Sequence, residues 1–249
     1  MPARPVLEVC VDTVVGLDAA IDGGADRIEL CSALGLEGLT PSASLMAVAA
    51  SKRVPCFALI RPRAGDFCYD RREVDLMLRD IDAVRAAPLA GVVVGASLGD
   101  GSLDVVTLRR LLEHSSGLPV VLHRAFDLVP DFPAALETAI GLGFKRVLTS
   151  GGARDAPSGR DRIRELVAQA GDRIEVMPGG GLSVGNVVQF VRDTGVRMIH
   201  SSGSSPALVS AGAGAVRAAA LGFISADYRV TDSRVVAEIV AALEELSEG

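Results

Sequence analysis

The chain has 249 residues, about half of them apolar, and a formal net charge of −6 at pH 7. This composition excludes a disordered chain, and the negative charge argues against a nucleic-acid-binding surface. No run of about 18 apolar residues marks a membrane span, and the N-terminal residues lack the apolar segment of a secretory signal. We therefore expect one domain over residues 1–249 in the cytoplasm, with reduced cysteines and with no nucleic acid or membrane as partner.

Short segments rich in Val and Ile recur along the chain and alternate with segments whose apolar residues have helical spacing. The predicted strands are residues 7–11, 27–31, 56–62, 91–97, 120–126, 146–151, 175–178 and 197–201. Eight strands alternating with helices over about 250 residues predict an α/β fold, a single (β/α)8 TIM barrel. A doubly wound open sheet is the alternative, because alternation alone does not show closure.

Several helix starts can be predicted from capping residues. Thr40 followed by Pro41 is typical of an N-cap and a first-turn proline, and Asp131 and Asp232 precede two further helical patterns. The stretch 204–226 is rich in Ala, Gly and Ser. We expect it to be an irregular loop, a short helix or both.

Polar side chains fall on one face of several predicted strands, because side chains along a strand alternate between its two faces. An unpaired charge inside a barrel is costly, and the least costly place is the upper end of the lumen, where active sites of this fold lie. The ring predicted there consists of Glu8, Cys10, Glu29, Cys31, Arg61, Arg63, His123, Asp127 and His200. The alternative is a structural network in which Glu8 pairs with Arg61 or Arg124.

The ring offers acid/base chemistry if the chain is an enzyme, a point that the sequence leaves open. His123 is the first candidate for general acid or base because imidazole titrates near neutrality. Two arginines at one strand end suit a carboxylate or phosphate, or else internal salt bridges. The candidate catalytic residues, none of which needs a metal, are Glu8, Glu29, Arg61, Arg63, His123 and Asp127.

Glycines after the seventh predicted strand and polar residues at the end of the eighth predict an anion site. The loops at these two places form the recurrent phosphate site of this fold, and a helix predicted to start near Ser183 would add a partial positive charge. The candidate anion-binding residues are Gly179, Gly180, Gly181, His200, Ser201 and Ser202. A simple tight turn is the alternative for the three glycines.

The only two lysines, Lys52 and Lys145, both precede predicted strands and so belong to the opposite end of the barrel. A Schiff-base aldolase needs a lysine at the upper end of the lumen, the mouth of the barrel. The sequence therefore excludes that mechanism.

Cys10 and Cys31 end neighbouring predicted strands, and the axes of such strands lie about 4.8 Å apart. Two nearby thiolates suit a soft ion such as Cu(I). Two inert buried cysteines are the alternative.

The segments that carry these residues resemble the CutC family, which is named for copper homeostasis. They are Glu8-Val-Cys10, Gly24 to Cys31, Gly38 to Ser42, Ile60 to Phe67, His123 to Asp127, Val147 to Gly151, Met177 to Gly181 and His200-Ser-Ser202. The resemblance implies a TIM barrel, a cytoplasmic location and copper handling, with Cu(I) bound by Cys10 and Cys31. The sequence departs from the family pattern at Ala64, where glycine is common, and after Ser202.

Two functions follow as hypotheses. The first is a cytosolic copper-homeostasis protein that binds Cu(I) through the cysteine pair. The second is a barrel enzyme that acts on a small anionic or phosphorylated metabolite by acid/base catalysis. The expected partner is accordingly a copper ion or a small anionic ligand, and a homo-oligomer is compatible with both.

Overall fold

Strand and helix alternate along the chain in the computed structural model, which describes residues 4–207, 213–225 and 228–248. The strands of the main sheet are Val6–Val11 (β1), Arg27–Leu30 (β2), Cys56–Leu59 (β3), Gly91–Val94 (β4), Val120–Leu122 (β5), Arg146–Thr149 (β6), Glu175–Pro178 (β7) and Met198–Ser201 (β8). The helices between them are Val14–Asp22 (α1), Ala43–Ala50 (α2), Arg71–Ala86 (α3), Val105–His114 (α4), Phe132–Leu142 (α5), Arg160–Ala170 (α6) and Val187–Thr194 (α7).

The eight strands are parallel and form one sheet in which each strand pairs with its neighbour in sequence, while β8 pairs with β1. A parallel bridge between Gly179 and His200 joins the end of β7 to β8 and completes the ring. The predicted TIM barrel is confirmed, and the open sheet is wrong.

Apolar side chains fill both sides of the barrel sheet. One cluster lies between the strands and the surrounding helices, as expected for strands buried on both faces. A second cluster lies inside the ring and includes Phe57, Leu59, Val93, Val121, Leu148, Met177 and Met198. The lumen is therefore a packed core rather than a pore, and it supports the polar residues at its upper end.

Four strands end two or more residues earlier than predicted because the chain turns into loops before the polar residues that follow. The strands β3, β4, β5 and β6 end at Leu59, Val94, Leu122 and Thr149. Arg61 therefore lies in a loop rather than on β3. His123 is the N-cap of a 3-10 helix, Arg124–Leu128, and not a strand residue.

Two predicted helix starts are wrong. The N-cap of α2 is Ser42, whose hydroxyl accepts from the Leu45 N–H, while the Thr40 hydroxyl accepts from the Arg61 N–H at 3.0 Å. Helix α7 begins at Val187 rather than near Ser183, after a turn.

Asp131 is the N-cap of α5, as predicted. Asp232 precedes the last helix, Ser233–Glu248, and its carboxylate accepts from the Arg234 N–H.

The segment after β8 contains more regular structure than predicted. Ser204–Pro206 (β9) and Arg229–Thr231 (β10) form an antiparallel pair that flanks Ala213–Ala220 (α8), and Ser233–Glu248 is α9. The expected short helix is confirmed, whereas the strand at Ser204 was missed. Residues 208–212 and 226–227 of the stretch lie outside the described residues. Within the described ranges, no helix has the length and apolarity needed to cross a membrane.

Candidate active site at the barrel mouth

Four charged side chains from three adjacent strands form a continuous network in the upper lumen. Glu8 on β1 faces Arg27 on β2 and His200 on β8 in the strand register. Arg27 Nε donates to Glu8 Oε2, and His200 Nδ1 lies 2.7 Å from Glu8 Oε1. The other ring nitrogen of His200 lies 3.7 Å from Glu29 Oε2. All four residues are buried, so the charges are balanced within the protein rather than by water.

The network gives the carboxyl groups of Glu8 and Glu29 very different pKa values. Burial alone would raise the pKa of Glu8, but Arg27 and His200 lower it to about 2. Burial raises the pKa of Glu29 to about 7, against the attraction of His200. Neighbouring Cys10, Glu8 and Glu29 raise the pKa of His200 well above its usual value despite its burial. Two carboxyl groups with widely separated pKa values are typical of a catalytic acid/base pair.

Glu29 keeps one oxygen available to a ligand. Its Oε2 interacts with His200 and lies 3.8 Å from the Cys31 sulfur. Its Oε1 accepts no hydrogen bond from the described residues and is not among their fully buried unpaired atoms. Of the predicted catalytic residues, Glu29 thus combines a titratable group with a free oxygen.

The two predicted metal-binding cysteines lie on the same side of the mouth, since Cys10 is the register partner of Glu29 and Cys31 follows two residues later. Cys10 is half-buried, and its Sγ lies 3.9 Å from the Ser201 carbonyl oxygen. Burial and the charge of Glu29 raise the pKa of the Cys31 thiol well above its usual value. Among the described residues, no three or more His, Cys, Asp or Glu are arranged as a metal site.

His123 lies on the opposite side of the mouth from this network and does not titrate as predicted. Its Nδ1 accepts from the Ala125 N–H at 3.0 Å. Burial and the charge of Arg61 lower the pKa of His123 to about 3. The reason for choosing it as general acid or base, titration near neutrality, therefore does not hold in this environment.

The two arginines after β3 are largely engaged in holding loops. Arg61 donates through its two Nη atoms to the carbonyl oxygens of Leu36, Gly38 and Gly65 at 2.8–3.0 Å. Arg63 pairs with Glu73 and lies 2.9 Å from Asp66 Oδ1, so internal salt bridging accounts for it.

Asp127 also serves the backbone of a loop. Its carboxylate accepts from the N–H groups of Ser150 and Gly152 at 2.9–3.1 Å and pairs with Arg124 Nε at 2.7 Å. These contacts fix the loop after β6, and they leave Asp127 poorly placed to act on a substrate.

The predicted anion-binding residues differ in whether their donors remain free. The Gly179 N–H donates to Thr149, and the Ser201 hydroxyl donates to the Leu182 carbonyl at 3.1 Å. The Ser202 hydroxyl lies 2.8 Å from the Ser204 hydroxyl, while His200 faces Glu8. The N–H groups of Gly180 and Gly181 donate to no acceptor in the described part of the chain. Both residues have a positive φ, which glycine adopts without strain.

Arg124 joins these two glycines in a candidate anion site, and we call Arg124, Gly180 and Gly181 together the anion-binding arc. Its Nε and Nη2 are bound to Asp127 and Ser150, whereas Nη1 has no partner among the described residues. A Cβ placed on Gly180 would lie 3.4 Å from that Nη1. The free guanidinium nitrogen and the free N–H groups therefore lie on one side of the mouth.

Sequence reasoning missed both Arg27 and Arg124 as site residues. Arg27 shares the strand face of Glu29, so side-chain alternation was the available signal. Arg124 directly follows His123, and its role depends on the 3-10 helix that turns it toward Gly180.

The far end of the barrel holds two shallow depressions that contain none of these residues. One includes Ser115 and Lys145, and the other includes Gly171 and Arg197. Lys52 pairs with Asp18. In agreement with the sequence, neither lysine reaches the mouth.

Comparison with known proteins identifies the family. A sequence model of the CutC family matches residues 5–205. The chain is 54% identical to a family protein CutC of Caulobacter vibrioides over 243 residues, 98% of each chain, and 50% identical to one of Rhizobium meliloti over 97% of each. A solved structure of CutC from Streptococcus agalactiae, whose name refers to copper homeostasis, is 30% identical with a TM-score of 0.76, covering 80% of this chain and 98% of that one. The chain therefore belongs to the CutC family.

Proposed function

We propose that this protein is an enzyme that moves protons on a small phosphorylated or otherwise anionic metabolite bound at the barrel mouth, without a metal. The observation that carries this proposal is the free Oε1 of Glu29 beside the His200 side chain, on the same mouth as the anion-binding arc. A purely structural ion pair needs only Arg27 and Glu8. It gives no reason for a second buried carboxyl group with an unused oxygen.

The reaction has a simple proton balance. Ionised Glu29 takes a proton from the substrate and returns it to another atom of the same molecule, so that the enzyme is unchanged after turnover. His200, held by Glu8, supplies positive charge that favours the ionised form of Glu29 and the negative charge that develops on the substrate. Glu8 and Arg27 position His200 and do not touch the substrate.

The anion-binding arc lies next to this pair, because Gly179 bridges to His200 directly before Gly180. An Arg side chain and two backbone N–H groups suit the oxygens of a phosphate group. We infer that they hold the substrate at the end opposite to the reacting carbon.

Turnover can be tested without knowing the substrate. The protein is incubated in D2O with a panel of small phosphorylated hydroxy-carbonyl compounds, and proton NMR follows the loss of C–H signals. We expect exchange with at least one compound. A panel in which no compound exchanges would contradict the proposed reaction.

Inorganic phosphate tests the arc separately. We expect replacement of Arg124 by glutamine to weaken phosphate binding about 10- to 100-fold, because a hydrogen bond to a charged group contributes about 1.5–3 kcal/mol. Isothermal titration calorimetry measures the affinity. Arg160→Gln is the matched control, since Arg160 forms an exposed pair with Asp193 on α7. Equal affinities for the two variants would remove Arg124 from the site.

A second proposal concerns copper, and it is supported by the two thiols that lie on one side of the mouth. Cys10 and Cys31 would bind Cu(I) as thiolates, since soft sulfur ligands favour this ion. The high pKa of Cys31 means that binding must release its proton. Affinity is therefore expected to rise with pH.

A competition titration with a Cu(I) chelator tests this pair. We expect the double variant Cys10→Ser, Cys31→Ser to lose more than about 100-fold in affinity, because even outer-shell changes at metal sites cost 10- to 100-fold. Cys68→Ser, at a cysteine in the loop between β3 and α3, serves as the control. Unchanged binding by the double variant would exclude the cysteine pair.

A further inference from the structure

Unpaired buried polar atoms are rare in native proteins, and each one calls for an explanation. Within the described residues there are five, on Arg27, Arg61, Tyr69, Ser97 and His123. Three of these residues, from the ends of β3, β4 and β5, contact one residue, Phe67: Arg61 and His123 contact its ring, and Ser97 its backbone carbonyl.

Phe67 packs against this group of residues. Its ring centroid is 4.7 Å from that of His123, and the Arg61 guanidinium carbon is 5.3 Å from the ring. The Phe67 carbonyl accepts from the Ser97 N–H at 2.9 Å. Beneath it, Arg61, Ser97 and His123 are 7%, 2% and 5% exposed.

The unpaired atom of His123 is a hydrogen-bond donor. Because Nδ1 accepts from the Ala125 N–H, it carries the lone pair of the neutral ring, and Nε2 carries the proton. Burial and Arg61 keep this ring neutral at physiological pH, although Asp127 acts in the opposite direction.

The other two unpaired atoms also donate. Arg61 Nε carries an N–H, and the Ser97 hydroxyl can donate or accept. The group thus presents three donors for which the described part of the chain supplies no acceptor.

A glycine positions the His123 ring within this group. A Cβ at Gly95 would lie 2.3 Å from the ring carbon Cε1 and 2.8 Å from Nε2. Any other residue there would displace the ring, so the glycine after β4 allows His123 to lie across the strand end.

We propose that Arg61 Nε, Ser97 Oγ and His123 Nε2 form a subsite for a carbonyl or carboxylate oxygen of the substrate, which Phe67 covers when no ligand is bound. Three donors without an acceptor select an oxygen that only accepts. The positive charge of Arg61 favours one that is anionic or becomes so. The use of this subsite in catalysis rests on the proposed function, whereas its binding of ligands does not.

The part of Phe67 that would move is its ring, since its backbone carbonyl is bonded to the Ser97 N–H. Phe67 is half-buried at the end of an exposed loop, 64–66, and no helix or strand lies between the end of β3 and the start of α3. Displacement of its ring would open the three donors to the mouth without disturbing the barrel.

The chain offers a direct spectroscopic test because it contains three histidines. With 15N-labelled histidine, long-range proton–nitrogen NMR spectra report tautomer and protonation for each ring. We expect His123 to be the neutral Nε2–H form throughout pH 5–8. His114, at the surface beside Asp82, is the internal reference.

Two probes separate the oxygen types: acetate offers only a carboxylate, and dihydroxyacetone only a carbonyl and hydroxyls. We expect at least one to shift the His123 Nε2 proton. Ser97→Ala should weaken the binding of that probe about 10-fold, because one hydrogen bond to a buried group is lost. Phe67→Ala should speed exchange of the Nε2 proton with water, whereas Phe223→Ala, at a residue that is 81% exposed, should not.

An Nδ1–H tautomer, titration near pH 6.5, or no shift with either probe in wild type and Phe67→Ala would overturn the subsite. Probe binding without turnover of any panel compound would retain the subsite and reject the proposed reaction. Turnover of a panel compound without a His123 response would retain the proposed reaction and reject the subsite.

Discussion

Replacing Arg27 by methionine is expected to lower the free energy of unfolding by about 3–5 kcal/mol, because it leaves the buried Glu8 without its main partner. Such a loss is a large part of the stability of a typical domain, which is about 5–15 kcal/mol. Methionine keeps most of the side-chain volume against Phe57, whose ring lies 4.3 Å from the Arg27 guanidinium carbon. Denaturant unfolding monitored by circular dichroism measures the change.

Arg197→Met is the matched control. Arg197 pairs with Asp172 at 2.8 Å, but both side chains are exposed, and such pairs contribute about 0–1 kcal/mol. The double variant Glu8→Gln, Arg27→Met should be more stable than Arg27→Met alone, since it removes the unpaired charge. Equal effects at Arg27 and Arg197 would mean that the lumen network does not stabilise the fold.

The network also predicts how stability depends on pH. The pKa of Glu8 is about 2 in the folded chain and about 4.3 in an unfolded one. Its contribution is therefore complete above about pH 4.3 and is lost as the pH falls toward 2, on the order of 3 kcal/mol in total. The free energy of unfolding of Glu8→Gln should lack this part of the dependence on acid pH. A wild-type profile that is flat over this window would contradict the assignment.

Much of the fold could be predicted from the sequence, because alternation of strand and helix depends on local periodicity. The facing of Glu8 and Glu29 into the lumen follows from the same rule. The positions of Arg61 and His123 could not be predicted, since they depend on where the chain leaves the strand. Likewise, the low pKa of His123 depends on its burial and on the charge of Arg61, which only the folded chain brings together.

The anion-binding arc illustrates a second limit of sequence reasoning. The glycine run predicts free N–H groups, but three-dimensional contacts decide which of them are already used. The Gly179 N–H donates to Thr149, whereas those of Gly180 and Gly181 have no acceptor among the residues that the structure describes. Arg124 becomes a candidate only because the 3-10 helix after β5 turns it toward Gly180.

Replacing Glu29 by glutamine is expected to lower the rate of deuterium exchange by about 10²- to 10⁴-fold, the usual contribution of a general base. Glutamine has nearly the same shape and cannot take up a proton, so substrate binding should change little. The rate of wild type should rise with pH through about 7, as Glu29 ionises. Exchange is followed by NMR with the most reactive compound of the panel.

The same substitution should make the protein more stable above pH 7, and this pairing of effects distinguishes a catalytic carboxyl group from a structural one. Because folding raises the pKa of Glu29 from about 4.3 to about 7, stability is lost as the pH rises between these values. Glutamine removes this loss, so at pH 8 Glu29→Gln should gain about 1–3 kcal/mol over wild type. At pH 4, where the folded carboxyl group is protonated, the two proteins should be nearly equal. A variant that loses both activity and stability at pH 8 would show instead that Glu29 holds the barrel mouth together.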